Sequence, residues 1–319
     1  SCCEDDDPDL RTKAVAALTK LSGFLLGSYD MQVINKIFLY LVAWLKFENN
    51  YIEGYGVACS QLHKITLKLF EDKKYWQEAE GFLVVLNQIQ DGILEKSSTI
   101  RGMVSKLQES LATKDILEKL TICYLEDKST LKSVAETIIT NLGRRAVVFL
   151  LNRLMHSEEK EERLQLVKLI PGAGNVVVPV MMECLKKKPP WYVVRNVVFI
   201  ISEINNSSLY SLVQPYLAHR DIRVQQQVLS CIVKISGGKL KQRLIDALPK
   251  VRDELKMQII MQIGHMSGDD VSEALLELLN SRKYFDQETY IELLVKICVA
   301  LKFSPTKPVI DALYELIEE

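Results

Sequence analysis

The four histidines, His63, His156, His219 and His265, are the side chains best suited to proton transfer or zinc ligation near neutral pH, and their spacing serves neither. None has a second His, a Cys or an acid at a ligand spacing such as HExxH, so no metal or cofactor is expected. The acidic run SEEKEE, Ser157 to Glu162, gathers carboxylates as an acid–base pair would. It falls where a turn enters a helix, a place that attracts acids because of the N-terminal dipole. The glycines, 14 in all, mark helix ends, and PGAGN at Pro171 to Asn175 lacks both the spacing and the preceding strand of a phosphate cradle. The adjacent Cys2 and Cys3 have acids beside them but no partners with which to hold an ion, and read as a disordered end. The basic run KKKPPWYVVR, Lys186 to Arg195, interleaves cations with aromatics, as a nucleic-acid surface does. The same residues also serve a helix end and the turn after it. No catalytic residue emerges, and the expectation is a protein that is not an enzyme.

With 40 basic and 41 acidic residues the chain has no global field to draw in nucleic acid or an anionic membrane. The 48% hydrophobic content is too high for a disordered segment. The longest apolar run, Ile37 to Leu45, is far short of the roughly 20 residues that a membrane span needs, and reads as a buried helix. Cys123, Cys184, Cys231 and Cys298 fall on apolar stripes, where a free thiol acts as a small hydrophobe; that usage suits a reducing compartment, and a cytoplasmic location is expected. The start, SCCEDDDPDL, has neither an initiator Met nor a signal-peptide layout, so a fragment of a larger protein is expected.

What positions side chains here is a repeat. In steps of 31 residues the chain reads Ile139, Ile170, Ile201, Ile232 and Ile263. Twelve-residue frames beginning at Leu131, Glu162, Val193, Val224 and Leu255 superpose without a gap, and their positions 1, 5, 8, 9 and 12 are mostly apolar. This is the stripe of an amphipathic helix. Turn residues follow at Gly143, Gly174, Asn205, Ser236 and Ser267, then a second helical segment with inward positions at Leu154, Leu185, Tyr216, Ala247 and Leu278. A sixth frame begins at Tyr290. Each unit is thus a helix pair, too small to close a core until a neighbour stacks on it.

The frames VVRNVVFIISEINN, VQQQVLSCIVKISGG and LKMQIIMQIGHMSGDD, each followed by an apolar helix, resemble the HEAT-type helical repeat of the short bacterial variety. The resemblance covers residues 114–319 with about six helix pairs, and implies an all-α solenoid of stacked antiparallel pairs. In that family a basic residue follows the first apolar position. Here the column holds Lys132, Arg163, Val194, Gln225, Lys256 and Ile291, of which half comply. Residues 1–113 are helical but out of phase, with stripes Leu10-Ala14-Leu18-Leu21-Leu25, Val33-Ile37-Leu41-Trp44 and Leu62-Ile65-Leu69, and read as degenerate repeats or a cap.

If the frame helices line a groove, as the resemblance implies, positions 3 and 7 look into it: Arg195 and Phe199, Gln226 and Ser230, Met257 and Met261, with His265 a turn further on. A Phe and two Met away from the buried columns fit a surface that grips a protein or peptide segment. The expected function is a non-enzymatic scaffold or adaptor. The alternative is a nucleic-acid-binding or base-processing protein using Lys186 to Arg195. A mixed or apolar groove favours the first, a uniformly basic one the second.

Overall fold

The computed structural model describes residues 5–27, 30–52, 54–126, 131–266, 268–281, 287–303 and 306–318. Cys2, Cys3 and Ser267 lie outside the described residues. All regular structure among the described residues is helical, and the chain forms two compact units, Ser1–Val180 and Met181–Glu319. The change of phase at 113–114 lies inside the first of them.

In the first unit, helices α1 (Pro8–Leu25), α3 (Gly54–Leu69) and α5 (Ser98–Leu111) pack in succession. Between them run α2 (Met31–Phe47) and α4 (Trp76–Gln90), and α4 packs against α7 (Lys132–Asn141). Helices α6 (Lys114–Leu125), α8 (Arg144–His156) and α9 (Lys160–Leu169) complete the unit. Local chemistry sets several starts. The Asp7 carboxylate accepts from the Asp9 amide with Pro8 in the first turn, Asp30 caps α2 through the Val33 amide, and Thr113 caps α6 through the Ile116 amide.

The leucine stripe expected for α1 is not its buried face. Arg11, Val15, Thr19 and Ser22 are buried instead, while Leu10 and Leu21 are exposed. The reason is an ion pair: Arg11 Nε donates to Glu48 Oε2 at 2.7 Å, both residues being buried, and Arg11 Nη1 donates to the carbonyls of Asp5 and Asp6. Lys96 closes the same corner, its Nζ donating to the carbonyls of Lys46 and Glu48 and to Asn49 Oδ1, all within 2.8 Å. Burial pulls that ammonium down to about 8, against the opposing pull of Glu48. The α2 stripe is buried at Ile37, Leu41 and Trp44 but open at Val33; that of α3 is buried throughout.

Helix α10 (Val177–Lys186) follows a turn, Ile170–Val176, in which Gly174 has φ +67°. The stretch Lys160–Lys186 is apolar enough on average to cross a membrane, yet this turn divides it. The second unit holds α11 (Trp191–Ile204), α12 (Tyr210–Val213), α13 (Ile222–Ile235), α14 (Leu240–Ile245), α15 (Asp253–Ile263), α16 (Asp269–Leu279), α17 (Gln287–Leu301) and α18 (Lys307–Glu318).

The frames are α7, α9, α11, α13, α15 and α17, and the chain is an all-α stack of helix pairs. All five column isoleucines are fully buried, at 0% exposure each. At position 5, Ala135, Leu166, Val197, Val228 and Ile259 are equally covered. Positive φ recurs at Gly143, Gly174 and Asn205, then slips by one residue to Gly237 and Gly268, so Ser236 is not the turning residue. The inward column of the second helices also slips. Leu154, Leu185 and Ala247 are buried, but Tyr216 and Leu278 are half-buried and their neighbours Leu217 and Leu279 take the core. In the Tyr216 case the helix is split into α12 and a 3-10 segment, Gln214–Ala218, which changes the angular step per residue.

Position 2 supplies polar clasps in place of a uniform basic ladder. Arg163 Nη1 donates to the carbonyls of Ser157 and Glu158, six and five residues back, as Arg11 does in α1. Gln225 Nε2 donates to the His219 carbonyl, again six residues back, and its Oε1 accepts from the Arg252 amide at the start of α15. Lys132 Nζ donates to Gln165 Oε1 in the following frame.

Helices α15 and α17 meet at a glycine. A Cβ on Gly264 would lie 2.6 Å from Ala300 Cβ and 3.1 Å from Ala300 Cα, so the close approach requires hydrogen at that point. Gly264→Ala is expected to lower stability by about 1–3 kcal/mol through overpacking, with much of the loss recovered by adding Ala300→Gly. Chemical denaturation of the two variants measures it.

Candidate binding surface

The proposed groove residues all lie on α11, α13 and α15 or just beyond, within the second unit. Arg195, Gln226, Ser230, Met261 and His265 are exposed, while Phe199 and Met257 are half-buried. Several are held in place. The Ser230 hydroxyl donates to the Gln226 carbonyl at 3.0 Å, and the Phe199 carbonyl accepts from the Ser202 hydroxyl at 2.6 Å. The His265 ring packs against Phe303 with centroids 5.5 Å apart.

These residues do not converge on one point. What the structure forms is a cleft of about 210 Å³ between α13 and α15, lined by Leu229, Ser230, Val233, Leu244, Gln258, Ile259 and Gln262. Ser230 alone among the expected residues lines it. Leu229, Leu244 and Ile259 make an apolar floor, and Val233 stands partly exposed at 37%. Helices α11 and α13 pack closely along their length, as do α15 and α17; α13 and α15 do not. Gln262 borders the gap. Its column elsewhere holds Ile138, Leu169, Ile200 and Cys231, all buried, whereas Gln262 is only half-buried, because an amide closed into an apolar seam would lose its hydrogen bonds. A polar residue in an otherwise apolar column was the signal for this cleft.

The electrostatics of the face are mixed. Lys234 on α13 pairs with Glu203 on α11 at 2.8 Å. Burial pushes the Cys231 thiol behind it up to about 12, which keeps it protonated and unreactive near neutral pH. A larger cleft of about 470 Å³ opens between α14 and α16, lined in part by Leu248, Pro249, Lys256, Glu277 and Leu278. Its cation is already used, since Lys256 Nζ lies 2.6 Å from Asp253 Oδ1.

The basic run is arranged differently from a stacking platform. Lys186, Lys187 and Lys188 are exposed at the end of α10 and just beyond it, but the Trp191 ring is covered by Arg223, whose guanidinium carbon sits 3.4 Å from the ring centroid. Arg223 also binds Asp221 through both carboxylate oxygens, and this contact holds the Asp221 carboxyl down at about 2. Trp191 is thus a clasp between successive frames. In the SEEKEE run, partial burial pushes Glu162 up, but the Ser157 hydroxyl and the Arg153 guanidinium outweigh it and hold the group below the ordinary carboxylate range. Arg153 also binds Glu118, so these charges form a closed network. His156 Nδ1 contacts the Asn152 carbonyl and His219 Nδ1 accepts from the Asp221 amide. Among the described residues no three His, Cys, Asp or Glu side chains gather in a group that would hold a metal.

No family model matches the chain, and no curated protein does. Among solved structures, a circular tandem repeat protein with novel repeat topology and enhanced subunit contact surfaces aligns over 96% of this chain and 67% of its own, at 11% identity and a TM-score of 0.27. That similarity is too low to carry any inference about function.

Proposed function

We propose that the protein is a non-enzymatic scaffold of HEAT-type helix pairs whose α11–α13–α15 face holds a segment of another protein, in a reducing, cytoplasmic setting. The observation that carries this reading is the α13/α15 cleft: an apolar floor at the edge of an exposed stripe, with the Gln258 and Gln262 amides and the Ser230 hydroxyl around it. Such a site takes one apolar side chain and offers donors and acceptors to the backbone that bears it. Phe199, Met257 and Met261 extend the apolar track along the stripe, and Met adapts to irregular partners.

The mixed charge of this face favours protein over nucleic acid, and the covered Trp191 ring removes the best stacking residue of the alternative. The test is selection of peptides from a displayed random library on the purified chain, followed by titration of the winners. We expect peptides with a recurring aliphatic or aromatic residue, affinity that changes less than about threefold between about 50 and 200 mM salt, and loss of binding in a Val233→Glu variant. Binding of single-stranded oligonucleotides that collapses over the same salt range, with no peptide selected, would refute the reading.

A further inference from the structure

The turns that lead into α11, α13 and α15 are joined along one edge of the second unit. The Arg223 guanidinium over the Trp191 ring ties the second turn to the first. Gln225, bonded to the His219 carbonyl and to the Arg252 amide, ties the second to the third. Lys186, Lys187 and Lys188 at the first turn, Arg220 at the second, and Lys250 and Arg252 at the third are all exposed. Among the described residues none of these six is held in an ion pair.

The acids nearby offset them only in part. Asp221 is bound through both oxygens to Arg223, and Asp253 lies 2.6 Å from Lys256. Glu254 is exposed in the first turn of α15, while Glu183 on α10, Asp246 at the end of α14 and Glu277 on α16 flank the turns. The opposite ends of the same frame helices are not basic: the turns there hold Lys239 together with the acids Asp269 and Asp270.

Folding does not ask for all of these cations. Lys186 ends α10, where the helix dipole favours it. Lys188, however, has φ +50°, in the left-handed region where a chain leaves a helix at least cost on glycine or asparagine. Arg252 holds the N-cap position of α15, which Ser, Thr, Asp or Asn fills best and where a cation opposes the dipole. Residues that break a local folding rule gather where a surface has another use.

We propose that this edge is a second binding surface, separate from the α13/α15 cleft, and that it takes an extended acidic segment of a partner protein. Stacked helices lie roughly 8–10 Å apart and an extended chain advances about 3.3 Å per residue, so carboxylates at every third residue meet successive turns. Nucleic acid fits less well. Arg223 already covers the Trp191 ring on which a base would stack, and a continuous phosphate chain cannot skip the exposed Glu254 as spaced carboxylates can.

The test is fluorescence anisotropy of a labelled peptide with glutamate at every third residue, titrated with the full chain and with a Lys188→Gly/Arg252→Ser variant. Both substitutions bring in a residue that local folding prefers. Chemical denaturation should therefore place the variant at or above the wild type, while its affinity for the peptide falls about tenfold. Wild-type affinity is expected to drop about tenfold between about 50 and 200 mM salt. Val233→Glu should leave it unchanged, which keeps this surface distinguishable from the cleft. Absence of peptide binding at the lower salt, or equal binding by the variant, would overturn the proposal. So would a variant less stable than the wild type, since the cations would then serve the fold, or tighter binding of a short single-stranded oligonucleotide than of the peptide.

Discussion

Replacing Glu48 with alanine is expected to lower the stability of the first unit by about 3–5 kcal/mol, the usual loss when one partner of a buried ion pair is removed. Glu48 is 1% exposed and Arg11 7%, so the orphaned guanidinium has no water to turn to. Its remaining partners are the Asp5 and Asp6 carbonyls and the Phe47 ring 5.5 Å away, none of which balances its charge. Glu48 also accepts from the Asn50 amide, so the end of α2 loosens too. The double variant Arg11→Met/Glu48→Leu should recover most of the loss, because apolar groups of similar volume remove the charge and its desolvation together. Urea unfolding followed by circular dichroism measures both, and a loss under about 1 kcal/mol for Glu48→Ala would mean that water reaches the pair.

That pair also explains where sequence reading failed. Counting apolar residues on α1 gave its leucines the inward face, since a helix with two stripes offers no local rule for choosing between them. The choice is made by Arg11, whose partner lies 37 residues away in Glu48 and is invisible to any periodicity. In the frames the opposite holds. Ile139 to Ile263 were legible because each takes the same fully buried position of its frame helix, so one residue type recurs at one spacing. Where the chain departs from regular helix the register slips, as at Gly237 and Tyr216, and fixed spacing then names the neighbour of the right residue. The α11–α13–α15 face was legible as a stripe but not as a cleft. Positions 3 and 7 follow from the helical period, although Phe199 and Met257 there are half-buried, whereas the cleft between α13 and α15 is bordered by one glutamine, Gln262, in a column of otherwise apolar residues.

The five isoleucines are therefore the place to test the repeat itself. Each is fully buried, and each Ile→Ala substitution removes the transfer free energy of the lost carbons and leaves a cavity that the stacked neighbours fill only in part. Equivalent niches should yield equivalent losses. Urea unfolding of the series Ile139→Ala, Ile170→Ala, Ile201→Ala, Ile232→Ala and Ile263→Ala is expected to show a loss of about 2–5 kcal/mol at every position, against under about 1 kcal/mol for the partly exposed Val233→Ala. Losses at some positions no larger than that of Val233→Ala would contradict a common environment for the column, and with it the stack of equivalent helix pairs.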